Sequence, residues 1–350
     1  MGSTIRMGFI GSGHSLQEIH LPLFTQMEEV TPLVLCDLRE SAIKNALRKF
    51  GIRETATQWQ DVVSMPGLDA VVITLPHDLH ALVAERALRA GKHVLCEKPV
   101  GLSIAEALAV ERAAEESGQL YVVALPYRFD PEVLALQHLV SSGRLGRIHH
   151  ARAGMIQRDA RPGGWFLERE RSGGGALIQF GSHLLDLVCM LMDDPQIERV
   201  SAVASRQASP TIMREKLDVE DAATVMLRMD SGRSAVVETA WAQDTSCDRK
   251  YLEVFGERGG ASLWPLRVNT HVDGLASEIA PRISAGNPYQ GLVRHFVEAI
   301  LRQGREPRTR GNIEDGVRLA RLTELIYQSV ATGREIDVPS TATKRTGGSP

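Results

Sequence analysis

The sequence IRMGFIGSG, at residues 5–13, joins a short apolar run to two glycines separated by a serine. The apolar run predicts a strand over Ile5–Ile10, and the glycine turn after it predicts the start of a helix. Backbone amides at such a turn can face a diphosphate with no side chain in the way. Position 16, where a third glycine or alanine would complete the pattern, is a leucine. The turn alone is therefore compatible with a dinucleotide site or with a tight turn that binds nothing.

Apolar runs and helical-period segments alternate through the first third of the chain. The runs lie at residues 5–10, 33–36, 70–73, 93–96 and 121–125, and helical segments lie among them at 40–50, 79–90 and 104–117. Such alternation predicts βαβ units and a parallel sheet covered by helices on both faces. We therefore expect an N-terminal α/β domain over residues 1–126.

The pattern changes after Pro126. A helical segment at 131–142 leads to alternating runs at 148–156, 200–205, 222–229, 234–242, 251–255 and 261–264, and two amphipathic segments follow at 289–302 and 313–331. These runs predict a large, mainly antiparallel open sheet with helices on one face. We expect a second, α+β domain over residues 127–340 and a flexible tail over 341–350, which is polar and rich in glycine, serine and threonine.

The composition is that of a soluble globular protein. The 350 residues are 43% hydrophobic and 24% charged, with a net charge of −3, which gives no basic surface for nucleic acid. The four cysteines lie far apart in the sequence, so we expect reduced thiols and neither disulfides nor a metal site. The apolar segment at 184–192 is too short for a membrane span, and the N-terminus lacks an apolar signal segment. These features favour a cytoplasmic protein.

Two further motifs carry polar groups at the ends of predicted elements. GKHVLCEKP, at 91–99, puts a lysine and a proline directly after a short strand, and GGGALIQFGSHLLD, at 173–186, is a glycine run that leads into a helix. In order and spacing, these motifs and the glycine turn resemble the Gfo/Idh/MocA oxidoreductases from about Ile5 to Val338. The resemblance implies a Rossmann domain followed by a substrate-binding and oligomerisation domain. It also implies a homodimer or homotetramer.

Asp37 ends the second predicted strand, at the distance expected for a carboxylate that accepts both ribose hydroxyls of NAD. It can equally cap the helix that follows. Arg39 could instead pair with the 2′-phosphate of NADP, so we favour NAD and regard NADP as the alternative. The resemblance places further cofactor contacts in the segments that follow the later strands. In all, we predict cofactor contacts from Gly11, Ser12, Gly13, His14, Ser15, Leu16, Asp37, Thr74, Leu75, Pro76, His80, Glu97, Lys98 and Arg128.

Lys98 follows a strand of the parallel sheet and so lies at the carboxyl edge, where ligands of such sheets bind. By residue type alone it could be a surface lysine. The resemblance implies that it contacts the reacting oxygen and that the peptide bond to Pro99 is cis. Glu97 is then expected to position the backbone and the cofactor, or else to form a salt bridge.

Gln179 and His183 lie four residues apart and so share one face of a helix. An isolated histidine there could be a core residue bonded to the backbone, but the resemblance implies an Asp-x-Gly-x-His pattern in which the histidine takes the hydroxyl proton. The carboxylate position is Gln179 here, and an amide cannot carry charge or act as a base. His183 is then the only obvious proton acceptor. Asp186, one turn further on, could orient the imidazole or bond the backbone.

The resemblance implies a dehydrogenase that acts on a secondary hydroxyl of a sugar, cyclitol or amino-sugar with NAD. Two alternatives stay open: a catalytically silent, NAD(P)-binding regulatory protein, which the missing carboxylate favours, and an NAD-dependent glycosidase that works by transient oxidation. For substrate contacts we predict Lys98, Arg158, Trp165, Gln179 and His183, with surface or domain-interface packing as the other interpretation of Arg158 and Trp165.

Overall fold

The computed structural model describes residues 4–52, 54–160, 162–206, 217–302 and 309–339. Its first sheet is parallel and six-stranded, in the order β3-β2-β1-β4-β5-β6. The strands are β1 Ile5–Ile10, β2 Val30–Cys36, β3 Glu54–Ala56, β4 Ala70–Ile73, β5 His93–Cys96 and β6 Tyr121–Val123. The predicted parallel sheet is confirmed.

Helices cover both faces of this sheet. They are a π-helix at Ser15–His20, which runs into α1 Leu21–Phe24, and α2 Glu40–Phe50, α3 Trp59–Val63, α4 His80–Arg89 and α5 Ile104–Ser117. All four residues of β4 are buried, as expected for a strand covered on both faces. All the strands run in one direction, so their carboxyl ends, where β1 leads to the glycine turn and β5 leads to Lys98, meet along one edge.

The second sheet has nine strands, in the order β14-β13-β12-β11-β7-β10-β9-β8-β15. Only β7 and β10 pair in parallel among its described ladders, so the prediction of a mainly antiparallel sheet is confirmed. The strands are β7 Ile148–Ile156, β8 Ile197–Ser205, β9 Ala222–Met229, β10 Ser234–Ala240, β11 Arg249–Gly256, β12 Gly260–Leu263, β13 Arg267–Val272, β14 Leu275–Ile279 and β15 Ile336–Asp337.

The chain crosses between the sheets through a 3-10 helix at Pro126–Phe129 and α6 Pro131–Ser141. The remaining α- and π-helices of the described residues are α7 Arg169–Ser172, a π-helix at Leu177–Gly181 that continues as α8 Ser182–Leu191, α9 Pro288–Leu301 and α10 Ile313–Thr332. Short 3-10 helices lie at His77–Leu79, Gly164–Leu167 and Asp230–Gly232. Helix α9 returns to the first sheet, where Phe296 joins the buried cluster that contains Phe9 and Phe24. The two sheets thus share helices. The tail predicted over 341–350 lies outside the described residues.

One helical stretch, Arg169–Leu191, reaches the length and hydropathy of a membrane span, with a mean hydropathy of 1.4 over its most apolar window. However, 78% of that window is buried inside the protein. This burial is typical of a core helix in a globular protein. The stretch carries Gln179 and His183 and packs against the inner face of the second sheet, which brings these residues towards the carboxyl edge of the first sheet.

Candidate active site

The glycine turn after β1 is held closely against β4. Gly11 has a φ of +95°, and a Cβ at this position would lie 2.7 Å from the carbonyl oxygen of Thr74. Its N–H donates to the Cys36 carbonyl at 2.8 Å, and Thr74 Oγ1 donates to the Gly11 carbonyl at 2.6 Å. Only glycine fits this backbone conformation and this close approach. Gly13 has open space around its Cβ position, which leaves room for a ligand at the turn.

Asp37 ties the glycine turn to the end of β2. Its Oδ2 accepts the Ser12 N–H at 2.7 Å, and its Oδ1 accepts the Arg39 N–H at 2.8 Å. The Arg39 side chain also pairs with this carboxylate at 3.2 Å. The second lone pair of each carboxylate oxygen accepts from the Arg39 side chain, which is 67% exposed and which a ribose hydroxyl could displace. Holding the loop and binding a ribose are compatible roles.

Three predicted cofactor contacts have other roles in the structure. The side chain of Leu16 is fully buried in the core with Phe9 and Phe24, so it cannot line a cofactor site. His80 is also fully buried, and its ring nitrogens lie 2.7 and 2.8 Å from the carbonyl oxygens of Pro99 and Leu75. Sequence position alone does not reveal that these side chains turn inward. His14, by contrast, is exposed beside the turn.

Arg128 is the third of these residues. Its guanidinium donates to both carboxylate oxygens of Asp186, at 2.7 and 2.6 Å, and to Asp315 at 2.6 Å. The arginine is buried and its nitrogens face these carboxylates, so it is not available to a cofactor. Asp186 correspondingly binds Arg128 and Arg318, and no described contact joins it to His183. The ion cluster fixes helix α8 to the segment after β6 and to α10.

Lys98 reaches from the end of β5 to the π-helix at Leu177–Gly181. Its Nζ donates to the carbonyl oxygens of Gln179 at 3.0 Å and of Ile178 at 3.3 Å, and the peptide bond to Pro99 is cis. Burial lowers the pKa of the Lys98 ammonium to about 8, although the negative charge of Glu97 acts to raise it. A π-helix leaves carbonyls of its irregular turns open to other donors, and such turns are frequent at functional sites.

His183 and Gln179 face the same region. The His183 ring packs edge-on against Tyr127, with 5.2 Å between ring centroids. Burial, and then the Lys98 charge, lower the pKa of His183 to about 3, although Glu97 acts the other way. The imidazole is therefore neutral at pH 7. Among the described residues, buried His183 Nδ1 and Gln179 Oε1 have no hydrogen-bond partner, as expected where a ligand completes the site.

A buried carboxylate opens the helix that carries these residues. Glu220 Oε1 accepts the N–H groups of Gly175 at 2.8 Å and Leu177 at 3.1 Å, together with the Tyr327 hydroxyl at 2.8 Å. A Cβ on Gly175 would lie 1.8 Å from the Glu220 carbonyl oxygen. The glycine run therefore lets the chain pass close to the segment before β9, which supplies the helix cap.

Two residues near the site were not predicted from the sequence, His20 and Lys250. His20 is fully buried, with its Nε2 2.7 Å from Glu97 Oε1. Burial raises the pKa of Glu97, but the His20 hydrogen bond, together with nearby charges that include Lys98, holds the pKa below its usual value. Lys250, on β11, lies with its Nζ 3.8 Å from the ring centroids of both Tyr127 and Trp264. No local motif signals either contact, because both depend on packing between distant elements.

Arg158 and Trp165 lie in the loop before α7. Trp165 stacks on Phe166 at 3.9 Å and packs edge-on against His77 at 4.7 Å. The Arg158 N–H donates to Asp248 at 2.8 Å. Neither residue has a described contact with Lys98 or His183, so a role in substrate binding stays a prediction.

Comparison with known proteins agrees with this geometry over most of the chain. Residues 5–125 match the family model described as an oxidoreductase family with an NAD-binding Rossmann fold, and residues 133–262 match the GFO/IDH/MocA C-terminal domain. The chain belongs to the Gfo/Idh/MocA family of oxidoreductases. Lys98, after β5, lies within the first matched region, and His183, on α8, lies within the second.

Similar proteins from the family include D-glucoside 3-dehydrogenase of Escherichia coli, 26% identical over 96% of this chain and 98% of the relative. A putative UDP-kanosamine synthase oxidoreductase subunit of Amycolatopsis mediterranei is 31% identical over 74% of this chain and 75% of the relative. The structure of levoglucosan dehydrogenase in complex with NADH and levoglucosan has the same fold, with a TM-score of 0.84 and 23% identity over 96% of this chain and all of that one.

Proposed function

We propose that the protein is an NAD-dependent dehydrogenase that oxidises a secondary hydroxyl of a sugar, cyclitol or amino-sugar. The observation that carries this proposal is the meeting of Lys98, from the first sheet, with the helix that bears Gln179 and His183. An ammonium donor, a neutral imidazole with an unpartnered Nδ1 and an amide with an unpartnered Oε1 face one region. The relatives named for glucosides and levoglucosan support a carbohydrate substrate.

The residues at the turn fit a dinucleotide, since Gly13 leaves open space where the helix at Ser15–His20 begins and Asp37 ends β2 at the ribose position. When bound there, NAD supplies the acceptor for a hydride. Lys98 donates a hydrogen bond to the reacting oxygen, which favours the charge that develops as the proton leaves. Neutral His183 accepts that proton, and Gln179 offers hydrogen bonds without charge.

The preference for NAD over NADP rests on Asp37. A carboxylate at the end of β2 accepts ribose hydroxyls and repels a 2′-phosphate. Arg39 is the residue that could offset this repulsion, and its side chain is 67% exposed and paired with Asp37. An arginine already neutralised by the adjacent carboxylate is a weaker phosphate ligand than a free one.

The direct test is a screen of polyols, glucosides, inositols, amino-sugars and nucleotide-sugars for NADH absorbance with the purified protein. We expect turnover of at least one carbohydrate class, with NAD preferred to NADP. A protein that binds NAD in calorimetry but oxidises none of these compounds would favour the regulatory alternative, which Gln179 at the carboxylate position supports. Turnover of a glycoside without net NADH would favour the glycosidase alternative.

We also propose a cytoplasmic homo-oligomer that assembles through the open face of the second sheet. Support comes from the exposed apolar side chains Val203 and Met226, which are 69% and 43% exposed on the outer side of β8 and β9. Side chains of this kind on an open sheet are typical of an interface. Light scattering after size-exclusion chromatography gives the molar mass. A monomer at micromolar concentration would contradict the proposal.

A further inference from the structure

Lys250 is directed to the helix-covered face of the second sheet. Its neighbours in β11 alternate, so that Lys250, Leu252 and Val254 share one face, and the last two are fully buried. In the ladder with β7, Lys250 lies opposite Met155, which is also buried. A charged side chain thus points towards the layer that holds α8.

The ammonium lies between two aromatic rings. Its Nζ is 3.8 Å from the ring centroids of Tyr127 and Trp264, which are themselves 5.8 Å apart and inclined at 59°. The rings stabilise the cation, but they do not accept directional hydrogen bonds from its N–H groups as carbonyl oxygens do. Within the described residues, no carboxylate or carbonyl oxygen is in hydrogen-bond contact with this Nζ. Lys250 is neither fully buried nor fully exposed.

The two nearby carboxylates have other partners. Asp130 accepts the Trp264 Nε1–H at 3.2 Å, and Glu132 accepts the Trp264 N–H at 3.1 Å. Both carboxylates favour the charged form of Lys250, which burial disfavours. They hold Trp264 in place beside the lysine, and they leave the ammonium itself open.

Tyr127 connects this lysine to the reaction centre. One ring contact of Tyr127 is with Lys250 Nζ at 3.8 Å, and another is with the His183 ring at 5.2 Å. The Lys250 charge also contributes to the lowered pKa of His183. Lys250 therefore lies beside the proton acceptor, within the dimensions of a single sugar substrate.

Three carboxylates lie near this region, and each has another hydrogen-bond partner. Glu97 bonds to His20, and Asp130 and Glu132 bond to Trp264. Lys98 Nζ bonds to carbonyl oxygens, Lys250 Nζ has aromatic neighbours, and Gln179 adds no negative charge. Two ammonium groups thus flank His183 without a carboxylate in hydrogen-bond contact with either, among the residues that the structure describes. An arrangement of this kind is complementary to an anion.

We propose that Lys250 binds an anionic oxygen group of the substrate, a carboxylate or a phosphate, and so selects acidic sugars or sugar phosphates over neutral ones. This inference rests on the proposed function, because it places the substrate's reacting hydroxyl at Lys98 and His183. Lys250 acts on a substituent away from the reacting carbon. It should therefore affect KM more than kcat.

The test compares a neutral sugar, its uronic acid, its phosphate and its nucleoside diphosphate derivative as substrates of the wild-type enzyme with NAD. We expect at least one anionic form to exceed the neutral one in kcat/KM by roughly 10-fold or more, as for a hydrogen bond to a charged group. Comparison of the uronic acid with the sugar phosphate shows which of the two anionic groups the site prefers. Equal kcat/KM for neutral and anionic forms would overturn the inference and leave the proposed dehydrogenase intact.

Variants then assign the preference to this lysine. Lys250→Met should lower the ratio of kcat/KM for the preferred anion to kcat/KM for the neutral sugar by roughly 10- to 100-fold, and Lys250→Arg should restore part of that ratio. The ratio is compared because removal of the Lys250 charge also changes the surroundings of His183 and so affects both substrates. The matched control is Arg249→Met, which removes a charge from the same strand on the opposite face. A Lys250→Met enzyme that loses neutral and anionic substrates alike would show a structural role and contradict the inference.

Calorimetry of the anionic sugars with the protein–NADH complex gives a readout that does not depend on turnover. Wild-type binding that is weakened in Lys250→Met and kept in Arg249→Met supports the anion site even if no compound is oxidised, in which case only the proposed function fails. Absence of a difference between anionic and neutral ligands in the wild-type complex rejects the site whether or not the variant folds.

Discussion

The ammonium of Lys98 donates a 3.0 Å hydrogen bond to the main-chain carbonyl of Gln179, which joins the end of β5 to the helix that carries His183. The first sheet and the helix that packs against the second sheet thereby meet at one lysine. Because the contact uses a backbone carbonyl, it does not depend on which side chain occupies position 179. The lysine is held in place while the side chain of Gln179 keeps a buried, unpartnered Oε1 for a ligand.

Replacing Lys98 by methionine should cut turnover on the order of 100-fold, since it removes one charge-assisted donor to the reacting oxygen. NAD affinity should be preserved, because the diphosphate is expected to bind the backbone at Gly13 and at the start of the helix that follows. Steady-state kinetics and calorimetry measure the two quantities separately. Lys44→Met, on the exposed side of α2, is the control. Loss of NAD affinity with unchanged turnover would contradict the assigned role.

Replacing Asp37 by serine should narrow the difference in affinity between NAD and NADP. The change removes a carboxylate that repels the 2′-phosphate and releases the Arg39 side chain from its 3.2 Å pair. Calorimetric titration of both dinucleotides into wild-type and variant protein is the measurement. If the wild-type protein bound NADP at least as tightly as NAD, the assignment of Asp37 would be wrong.

Replacing Asp186 by asparagine should lower the free energy of unfolding by about 3 kcal/mol, because it weakens a buried ion cluster and leaves Arg128 with one carboxylate fewer. Urea denaturation followed by circular dichroism gives the value. The pH dependence of turnover should stay that of the wild type, since Asp186 has no described contact with His183. A displaced pH profile in a stable variant would instead support the orienting role.

The low pKa of Lys98, about 8, predicts an alkaline limit to oxidation. The ammonium is the form that donates to the reacting oxygen, so kcat should fall as the pH rises through about 8 and the amine loses its proton. The side chain of Lys98→Arg stays charged, so the kcat of this variant should not fall over the same pH range, whatever its absolute rate. Lys250 also has a pKa lowered to about 8, so the profiles are measured in a Lys250→Met background. A fall that persists in Lys98→Arg would point to another group.

Local motifs were sufficient to predict the parallel sheet and the residues at strand ends and on one helix face. Asp37, Lys98 and His183 lie where the sequence placed them because a strand's end and a four-residue helical spacing fix position without reference to the rest of the fold. The strand Leu275–Ile279 was missed because it is mostly exposed, so no face carries a buried apolar pattern.

The errors and omissions have a different cause. Leu16, His80 and Arg128 belong to segments that were correctly located, but the direction of each side chain is set by packing against other elements. Lys250 and His20 reach the site through contacts with residues more than 70 positions away. Such pairings follow from sheet register and helix packing, which a single sequence does not reveal.

The central claim is that His183 accepts the proton of the substrate hydroxyl in this chain, without help from a carboxylate at position 179. The most direct measurement is the rate of NADH formation by His183→Ala beside the wild-type enzyme, at saturating NAD and with any carbohydrate that the screen identifies. We expect a loss of roughly 100- to 10,000-fold in rate, with NAD affinity unchanged. A fully active His183→Ala enzyme would contradict the claim.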